Sequence, residues 1–373
     1  MREVTDSVYW RSGGRASHGV SLLLCRILSL GQSIGVREKP GRVKIVRIMV
    51  NCGKLSSIGF LLAAAATAQT TSLGPRAPDG RPDFQGVWDN STLTPLERGI
   101  VMGNAGKPVQ LPPVTTLTIA DREATAYEQR IRSADDFKRG DGSGADLSGE
   151  INAEFLEPPE GLARVNGTKR TSLIVDPADG RIPYIATEEE RKKSRPPERF
   201  DSVKDRPLTE RCLHGNMTGP PIYNQFTTFE GYQIVQTPAH LVILAEYLRE
   251  VRVIRIGGQH LSSDVRQWLG DSIGRWDGDT LVVDTTNFTA QTRFKGSSEN
   301  LHVVERFKPI DGNTFLYRAT IEDPFVYSQP WVIEYPFQRA RGPLYEDACH
   351  EGNYALPDIL KGARKAEADG AKQ

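Results

Sequence analysis

The sequence predicts a mainly β protein in which an antiparallel meander of short strands closes into a barrel. Three observations predict this fold class. In the C-terminal half, short runs alternate apolar and polar side chains, and two to five residues that include Gly or Pro separate several of them. These connections leave almost no room for crossover helices, which favours antiparallel pairing. At least ten strands can be recognised, and a sheet of that size usually closes because open edges invite aggregation.

The barrel is expected to be lipocalin-like, with an interior or a mouth that can hold a small ligand. A β-propeller is the alternative, because GRWDGDTLVV and VDPADGRIPYI are similar to the hairpins of propeller blades. Propellers repeat along the chain, and no self-similarity with a period of 40–50 residues is present. The barrel is therefore the preferred interpretation.

The N-terminal segment has the features of an export signal. Lys54 supplies a positive charge, residues 58–66 form an apolar run, and Ala66-Thr67-Ala68 is a small-x-small cleavage site. Residues 49–68 therefore predict a secretory signal peptide, which is too short to span a bilayer as a helix. Residues 1–48 are then a doubtful leader or an over-long gene assignment, and the alternative is the basic start of an unusually long signal.

Removal of the signal changes the charge of the chain. The whole sequence of 373 residues holds 47 basic and 47 acidic residues, but residues 1–68 contain ten Lys or Arg and only three Asp or Glu. The exported part therefore carries a net charge of −7. Such an acidic chain argues against nucleic-acid binding, and a periplasmic or secreted bacterial protein is expected.

Two cysteines, Cys212 and Cys349, remain after cleavage at Ala68. In an oxidising compartment two cysteines most economically form one disulfide. We therefore predict that this pair closes a loop of more than a hundred residues.

The exported part is predicted to contain four segments. Residues 69–83 form a polar linker, and residues 84–160 form an N-terminal extension with one helix over residues 118–137. Residues 161–366 form the barrel domain, and residues 367–373 are a polar tail. A short helix is expected before that tail.

Two further segments are predicted to be irregular. Residues 140–150, rich in Gly, Ser and Asp, are expected to be flexible. The charged run over residues 188–199 ends in Pro-Pro and is expected to be a solvated loop.

Three predicted strands carry a carboxylate among aliphatic residues: Glu246, Asp284 and Glu305. If the apolar faces of these strands are the inner ones, all three carboxylates point into the barrel. A buried carboxylate costs several kcal/mol unless it meets a cation or hydrogen-bond donors, and burial raises its pKa towards the range of acid–base catalysis. In the alternative, the face points outward or an arginine neutralises the charge; the candidates are Arg255, Arg275, Arg293, Arg306 and Arg318.

The histidines of the exported part are His214, His240, His260, His302 and His350, which are too scattered for a spacing-defined zinc motif. No metal site is predicted. A histidine beside a carboxylate is a usable acid–base pair, so His302 and His350 join the three carboxylates as candidate catalytic residues. The disulfide is expected to bring His214, His350 and Glu351 close together.

Candidate ligand-binding residues come from two polar segments and one strand. Trp and Arg side chains suit stacking on a flat ligand, although an Arg–Asp network that holds a loop is an equally good interpretation. The candidates are His260, Arg266, Trp268, Arg275, Trp276, Trp331, Glu351 and Asn353.

Several motifs are missing from the sequence. It has no HExxH, no Walker loop, no GxGxxG after a strand, no GxSxG and no CxxCH. Nucleotide chemistry, common metalloproteases and α/β-hydrolases are thus unsupported, and no cofactor is predicted.

Four segments resemble a family of exported bacterial proteins that are labelled hypothetical: RWDGDTLVVDTTNF, GSSENLHVVERF, TIEDPFVYSQPW and YEDACHEGNYAL. The resemblance covers roughly residues 80–365 and is more specific in the C-terminal half. It implies export and a β-rich domain, and it transfers no catalytic residues.

The sequence therefore supports two hypotheses about function. In the first, the barrel binds a small apolar or aromatic organic molecule. In the second, the protein is a cofactor-independent lyase, isomerase or hydrolase that uses carboxylates and histidine as acid and base. No partner other than a small molecule is expected, no transmembrane segment is predicted, and the oligomeric state stays open.

Overall fold

A computed structural model of the chain describes residues 36–38, 42–44, 74–102, 108–111, 113–134, 161–194, 199–215, 217–223, 231–340 and 342–370. The chain forms two compact units, Met1–Ala68 and Gln69–Gln373. In the first unit, strands β1 (Val36–Glu38) and β2 (Arg42–Lys44) pair antiparallel. The predicted signal peptide and the predicted flexible segment 140–150 lie outside the described residues.

The second unit begins with short strands around one helix. In chain order these elements are β3 (Gly86–Asp89), β4 (Ile100–Met102), β5 (Pro108–Gln110), β6 (Thr118–Ile119), α1 (Asp121–Ala134), β7 (Arg164–Val165), β8 (Thr168–Arg170) and β9 (Ile174–Asp176).

The rest of this unit contains the long strands. They follow helix α2 (Glu188–Lys193) and are β10 (Gly231–Gln236), β11 (His240–Ala245), β12 (Val251–Ile256), β13 (Asp271–Asp277), β14 (Thr280–Thr286), β15 (His302–Pro309), β16 (Thr314–Glu322) and β17 (Trp331–Arg339). Helix α3 (Ala355–Gly370) follows them, and 3-10 turns occupy Val203–Asp205, Tyr247–Arg249 and Phe294–Gly296.

Nine strands form a closed barrel, as predicted. The ring consists of β3 and the eight strands β10 to β17. Strand β3 pairs with β10, each strand from β10 to β17 pairs with the next one, and β17 pairs with β3 to close the ring. Strand β9 pairs with the other end of β17. Closure leaves the long strands of the barrel without a free edge, which removes the risk of edge-to-edge aggregation.

One pair departs from the predicted antiparallel meander. Strand β12 runs parallel to β13, with Arg255 opposite Ile273 and Ile256 opposite Gly274. A parallel pair requires a crossover, and residues 257–270 provide it without a helix. The prediction of antiparallel pairing was wrong for this pair, because an extended segment along the outer wall makes the crossover without a helix.

The barrel interior is filled by alternate side chains of its strands. Leu281, Phe307, Phe315 and Phe337 are almost completely buried, and the rings of Phe315 and Phe337 stack with centroids 4.7 Å apart. Residues 217–222 are also buried. The backbone N–H of Ile222 donates to the hydroxyl of Tyr317, a residue of β16, over 2.7 Å.

A second, smaller core lies beside helix α1. Ala124, Tyr127 and Ile131 of the helix pack on Leu93, Leu111 and Leu162. The predicted helix over residues 118–137 is thus observed as α1, and residues beyond 134 are outside its described part. Strands β6, β8 and β7 form a small sheet in this region.

The charged run at residue 188 is helical rather than a loop. Helix α2 begins after Thr187, whose hydroxyl accepts from the Glu190 N–H, while the Glu190 carboxylate accepts from the Thr187 N–H. This reciprocal capping box satisfies two free N–H groups. Acidic residues in the first turn and basic residues in the last also favour a helix. Residues 188–193 of the predicted solvated loop therefore form a solvated short helix, and residues 195–198 of that loop lie outside the described residues.

Cys212 and Cys349 form the predicted disulfide, with Cα atoms 5.8 Å apart. It joins the segment before His214 to the segment before helix α3. Among the described residues, no helix is both long and apolar enough to cross a membrane.

Candidate functional site

Asp284 lies on the outer wall of the barrel. Strand β14 directs Leu281, Val283 and Thr285 inward, and all three are completely buried. Asp284 therefore projects outward, with its side chain 44% exposed. Of the two interpretations of this strand, the inward-facing one is wrong for Asp284 and the outward-facing alternative holds, because alternation separates the two faces of a strand without identifying the inner one.

Glu246 is also outside the barrel interior. In β11 the inward residues are Leu241, Ile243 and Ala245, which is the face opposite to the one expected. Glu246 follows the end of the strand and is buried there. Its carboxylate accepts hydrogen bonds from the Tyr345 N–H over 2.9 Å and the Gly231 N–H over 3.3 Å, so it connects loops at one end of the barrel.

Glu305 does point into the barrel, as predicted. Its side chain is completely buried and is paired with Arg252, which was not among the arginines considered. Arg252 Nη1 donates to Glu305 Oε1 over 3.0 Å, and Nη2 donates to Oε2. The Tyr317 hydroxyl donates to Oε1 over 2.7 Å.

Arg252 is saturated by other acceptors inside the barrel. Its guanidinium also donates to Thr218 O, Ser272 Oγ and Thr285 Oγ1, each over 3.1 Å. In a buried ion pair whose donors and acceptors are all satisfied, no hydrogen-bonding group is left to bind a substrate, so the pair is a structural element. The signal for Arg252 was in the sequence, because it shares a face with Ile254, which is completely buried.

The outer wall around Asp284 carries a cluster of titratable side chains: Arg255, His260, Asp271, Asp284, His302 and Glu322. We call this group the outer-wall cluster. His260 Nε2 lies 3.1 Å from Asp284 Oδ1, and His302 Nε2 lies 3.2 Å from both Asp284 oxygens. The structure thus brings together Asp284, His260 and His302, three residues that the sequence suggested separately.

Both imidazoles contact a second carboxylate through Nδ1. His260 Nδ1 lies 3.0 Å from Asp271 Oδ2, and His302 Nδ1 lies 3.5 Å from Glu322 Oε2. His302 and Glu322 are directly opposite each other on β15 and β16. A neutral imidazole has a single N–H donor, so each ring can donate to both carboxylates only as an imidazolium.

The crossover between β12 and β13 positions His260. It leaves β12 through Gly257 and Gly258, both with positive φ, and passes along the outer wall. The Asn287 amide donates to Leu261 O over 3.1 Å and to Ser262 O over 3.2 Å. These bonds hold the crossover against the end of β14, which places the imidazole over Asp284.

Asp271 supports this arrangement from the first position of β13. It is buried and accepts from the Leu261 N–H over 2.9 Å and from Arg255 Nη2 over 2.8 and 3.0 Å. Burial acts to raise the pKa of Asp271, but the hydrogen bonds from Leu261, His260 and Arg255 outweigh it and lower the pKa. Asp271 is therefore a fixed anion behind His260.

Asp284 and His302 polarise one another. The hydrogen bond to His302 lowers the pKa of Asp284, and the same bond raises the pKa of His302 above its usual 6.5. Burial opposes both shifts. The pair thus favours the charged forms of both groups near neutral pH.

The tryptophans among the ligand-binding candidates lie in different places. Trp331 is completely buried and stacks on Phe294 with centroids 6.1 Å apart, so it belongs to the core. Trp276 is half-buried and stacks on Phe84 at 6.1 Å. Trp268 is 38% exposed. The three tryptophans therefore do not form one shared aromatic surface.

The remaining candidates do not join the outer-wall cluster. Arg266 donates to Phe288 O and Glu299 O, which pins a loop. The Asn353 amide donates to Glu210 O and Cys212 Sγ. Three more candidates are exposed and take no part in the cluster: Arg275, His350 and Glu351.

His214 has a partner that sequence reasoning missed. Instead of His350 or Glu351, its Nδ1 contacts Glu250, whose carboxylate also accepts from Gly215 N–H and from the N–H and hydroxyl of Thr218. Burial acts to raise the pKa of Glu250, but these hydrogen bonds, that of His214 first, lower it. His214, Thr218 and Glu250 are buried, and the ring of Trp268 stacks on that of His214.

In the part of the chain that the structure describes, no three His, Cys, Asp or Glu side chains are arranged to coordinate a metal ion.

Comparisons of the chain with protein families, with curated proteins and with solved structures found no match. The chemistry of the outer-wall cluster must therefore be judged from its own geometry.

Proposed function

We propose that the protein is an enzyme that acts on a small organic molecule by acid–base chemistry at the outer-wall cluster. The observation that carries the proposal is the position of the Asp284 carboxylate within 3.2 Å of Nε2 of both His260 and His302. All three side chains are about one third or more exposed, so a molecule in solution can reach them.

The cluster offers an acid and a base side by side. The raised pKa of His302 favours its imidazolium form, which can donate a proton, and the lowered pKa of Asp284 keeps its carboxylate ionised as the acceptor beside it. A substrate that replaces the contact between Asp284 and one imidazole would meet both groups at hydrogen-bond distance, as general acid–base catalysis requires. Asp271 and Glu322 would hold the rings, as the carboxylate of a catalytic triad holds its histidine.

The reaction class that these groups support is that of a lyase, an isomerase or a hydrolase. Such reactions need proton transfers and no nucleotide cofactor. Glu305 and Glu246 are left out of the chemistry, because both are buried and already accept hydrogen bonds from Arg252 and Tyr317, and from Tyr345 and Gly231, respectively. Export to the periplasm or the medium, with cleavage near Ala68, is part of the proposal, and the Cys212–Cys349 pair supports it.

The test is turnover of a defined panel by the wild-type protein and three variants. The panel contains p-nitrophenyl acetate, a simple lactone, a β-hydroxy acid and a ketone whose α-hydrogens are followed by exchange in D₂O. Asp284→Asn and His302→Gln should lower kcat/KM at least 100-fold for any reaction that the wild type accelerates. Asp277→Asn is the matched control. Asp277 is an exposed carboxylate at the last position of β13, whereas Asp271 of the outer-wall cluster is at the first.

The variants are first compared with the wild type by thermal unfolding, so that activity is compared among folded proteins. The proposal fails if the wild type accelerates none of these reactions beyond the rate of Asp284→Asn. It also fails if Asp277→Asn loses as much activity as Asp284→Asn does.

Binding of an apolar or aromatic molecule is the second candidate function. A groove of about 370 Å³ lies along helix α1, with Pro113, Val114, Ile119 and Tyr127 among its lining residues. This volume lies within the range of small-molecule sites. Ile119→Glu should weaken binding of 1-anilinonaphthalene-8-sulfonate at least tenfold, while Ile310→Glu at an exposed position should not. Equal affinities in both variants would reject the groove as a binding site.

A further inference from the structure

Three arginines lie in one row on the outer wall of the barrel, next to the outer-wall cluster. Arg275 of β13 and Arg306 of β15 are directly opposite Val282 of β14, one on each side of it. Arg318 of β16 is directly opposite Arg306. We call Arg275, Arg306 and Arg318 the arginine row. Because the exported part has a net charge of −7, this concentration of positive charge is a local departure from the charge of the whole.

The two arginines beside Val282 lie over it. Val282 belongs to the outward face of β14, yet it is only 1% exposed. The aliphatic stems of Arg275 and Arg306 explain this burial, because such stems pack along apolar surface while the charged head stays in water. The two guanidinium groups are therefore held at the surface on either side of one covered valine.

The arginine row has more positive charge than its neighbours neutralise. Among the described residues, the Arg275 side chain forms no hydrogen bond and no ion pair. Arg306 Nη1 lies 3.6 Å from Asp277 Oδ2, and both side chains are exposed, so this ion pair is weak. Arg318 donates to Glu334 over 2.9 Å. Like charges that lie directly opposite each other destabilise a sheet, and a bound anion would relieve the repulsion between Arg306 and Arg318.

The arginine row lies close to the proposed acid–base groups. Asp284 is two residues from Val282 along β14, and two residues span about 7 Å of a strand. Arg306 is likewise two residues from Val304, which is directly opposite Asp284. One small molecule can therefore contact the guanidinium groups with one end and Asp284 with the other.

The charges of the two sites determine the orientation of such a molecule. In the outer-wall cluster, the guanidinium of Arg255 already donates to Asp271, and the Asp284 carboxylate repels a second anion. In the arginine row, by contrast, guanidinium groups present paired N–H donors that match the two oxygens of a carboxylate. An anionic group therefore binds at the arginines, which leaves the uncharged reacting group at Asp284.

We propose that the substrate of the outer-wall cluster is a small organic acid whose carboxylate is bound by Arg275 and Arg306. This inference rests on the proposed acid–base function and names its substrate class. Arg318 adds positive charge beside the bound carboxylate. The reacting group of the substrate is about 7 Å from that carboxylate, where it meets Asp284 and His302.

The probes are 4-acetylbenzoate and 4-acetylbenzamide, which differ in charge and have nearly the same shape. In both, a benzene ring separates the acetyl group from the second group by roughly the distance between Val282 and Asp284. Isothermal titration calorimetry of the full exported chain measures binding without turnover. At low ionic strength 4-acetylbenzoate should bind about tenfold more tightly than 4-acetylbenzamide. Added NaCl should reduce this difference, because salt screens exposed charges.

Variants assign the preference to the arginine row. Arg275→Gln and Arg306→Gln should each weaken binding of 4-acetylbenzoate by about threefold to fivefold and leave that of 4-acetylbenzamide unchanged. Arg122→Gln is the matched control, since Arg122 is an exposed arginine on helix α1, and it should change neither affinity. The comparison of the two probes in the wild type does not depend on how any variant folds. Equal affinities of the wild type for both probes would overturn the proposal, as would equal losses in Arg122→Gln and Arg306→Gln.

Exchange of the acetyl protons in D₂O distinguishes failure of this inference from failure of the proposed function. With 4-acetylbenzoate, Asp284→Asn should lower kcat, whereas Arg306→Gln should raise KM at constant kcat, because it removes only binding. Equal kcat/KM for both probes, unchanged in Arg306→Gln, would support the acid–base function and overturn the organic-acid substrate. Preferential binding of 4-acetylbenzoate by a wild type that accelerates no reaction of the panel would overturn the acid–base function and leave an anion-binding site.

Discussion

Asp284 and Glu305 lie on adjacent strands, one register position apart, and point to opposite sides of the barrel wall. Glu305 is opposite Val283, and Asp284 is opposite Val304. Glu305 meets Arg252 in the dry interior, whereas Asp284 meets two imidazoles at the solvent-exposed wall. A carboxylate thus completes a buried ion pair on one side of the sheet and joins an exposed cluster of imidazoles on the other.

The outer-wall cluster should make stability depend on pH. Because the folded state raises the pKa of His302, the contribution of His302 is complete below its unfolded pKa of 6.5 and is lost as the pH rises through the folded pKa. Because the pKa of Asp284 is lowered, its contribution is present above 3.8 and is lost as the pH falls through the folded pKa. The pair therefore contributes most between about pH 4 and 6.5.

His302→Gln tests this dependence. Its unfolding free energy should fall below that of the wild type by about 0.5 kcal/mol near pH 5.5, an amount reduced by solvent screening, and the difference should shrink by pH 8. The measurement is urea denaturation at four pH values. His240→Gln, at an exposed position on β11, is the control. A difference that grows between pH 6 and pH 8 would contradict the assigned ion pair.

The barrel was predictable from the sequence, but the inner face was predictable for only some of its strands. The face of β15 that holds Val303, Glu305 and Phe307 was assigned correctly. In β14 the face that holds Val282 and Asp284 was taken as the inner one, because Val282 is apolar. Val282 is in fact only 1% exposed, although it lies outside the central core cluster. Both faces of that strand are thus covered at this point, and alternation alone cannot rank two covered faces.

The buried pair of Arg252 and Glu305 should be costly to break. Arg252→Met or Glu305→Gln alone should lower the free energy of unfolding by about 3–5 kcal/mol, because each leaves a buried charge without its partner. The double variant Arg252→Met/Glu305→Leu should recover most of the loss, because it removes both charges.

Denaturant titration of the three variants measures these differences. The slope of the unfolding transition should stay near that of the wild type if the fold is retained. Losses below 1 kcal/mol in both single variants would mean that water or another group neutralises the pair, against the geometry described above.

The position of His260 could not be deduced from its own sequence neighbourhood. It depends on the parallel pairing of β12 with β13, which forces residues 257–270 to travel along the barrel wall. Parallel pairing is a long-range property, and the sequence between the two strands has the Gly and Ser content of an ordinary loop. The cluster appears only when the crossover, β14 and β15 are assembled.

The end of this crossover should be sensitive to one methyl group. Gly270 has φ of +66°, and a Cβ atom there would lie 2.6 Å from Thr286 O and 2.8 Å from Thr285 Cγ2. Gly270→Ala should therefore destabilise the fold by about 2–4 kcal/mol through strain and collision. Gly278→Ala is the matched control: its φ is +57°, but nothing lies within 4 Å of the added atom.

The control should cost about 1 kcal/mol, the price of the left-handed conformation alone. Thermal unfolding of both variants gives the comparison, and the difference between them isolates the collision from the conformational strain. Equal destabilisation by the two substitutions would show that the crossover shifts freely, in which case it could not hold His260 in place.

The disulfide should stabilise the protein chiefly by its loop length. Cys212 and Cys349 are 137 residues apart, and in the chain-entropy model closure of such a loop stabilises the folded state by about 5 kcal/mol. Cys212→Ser/Cys349→Ser should therefore unfold at a much lower urea concentration than the oxidised wild type. The reduced wild type should match the double variant, because the loss arises from the freed unfolded chain. If reduction leaves the midpoint unchanged while the double variant loses stability, the effect comes from local packing at Cys212, and the entropic account is wrong.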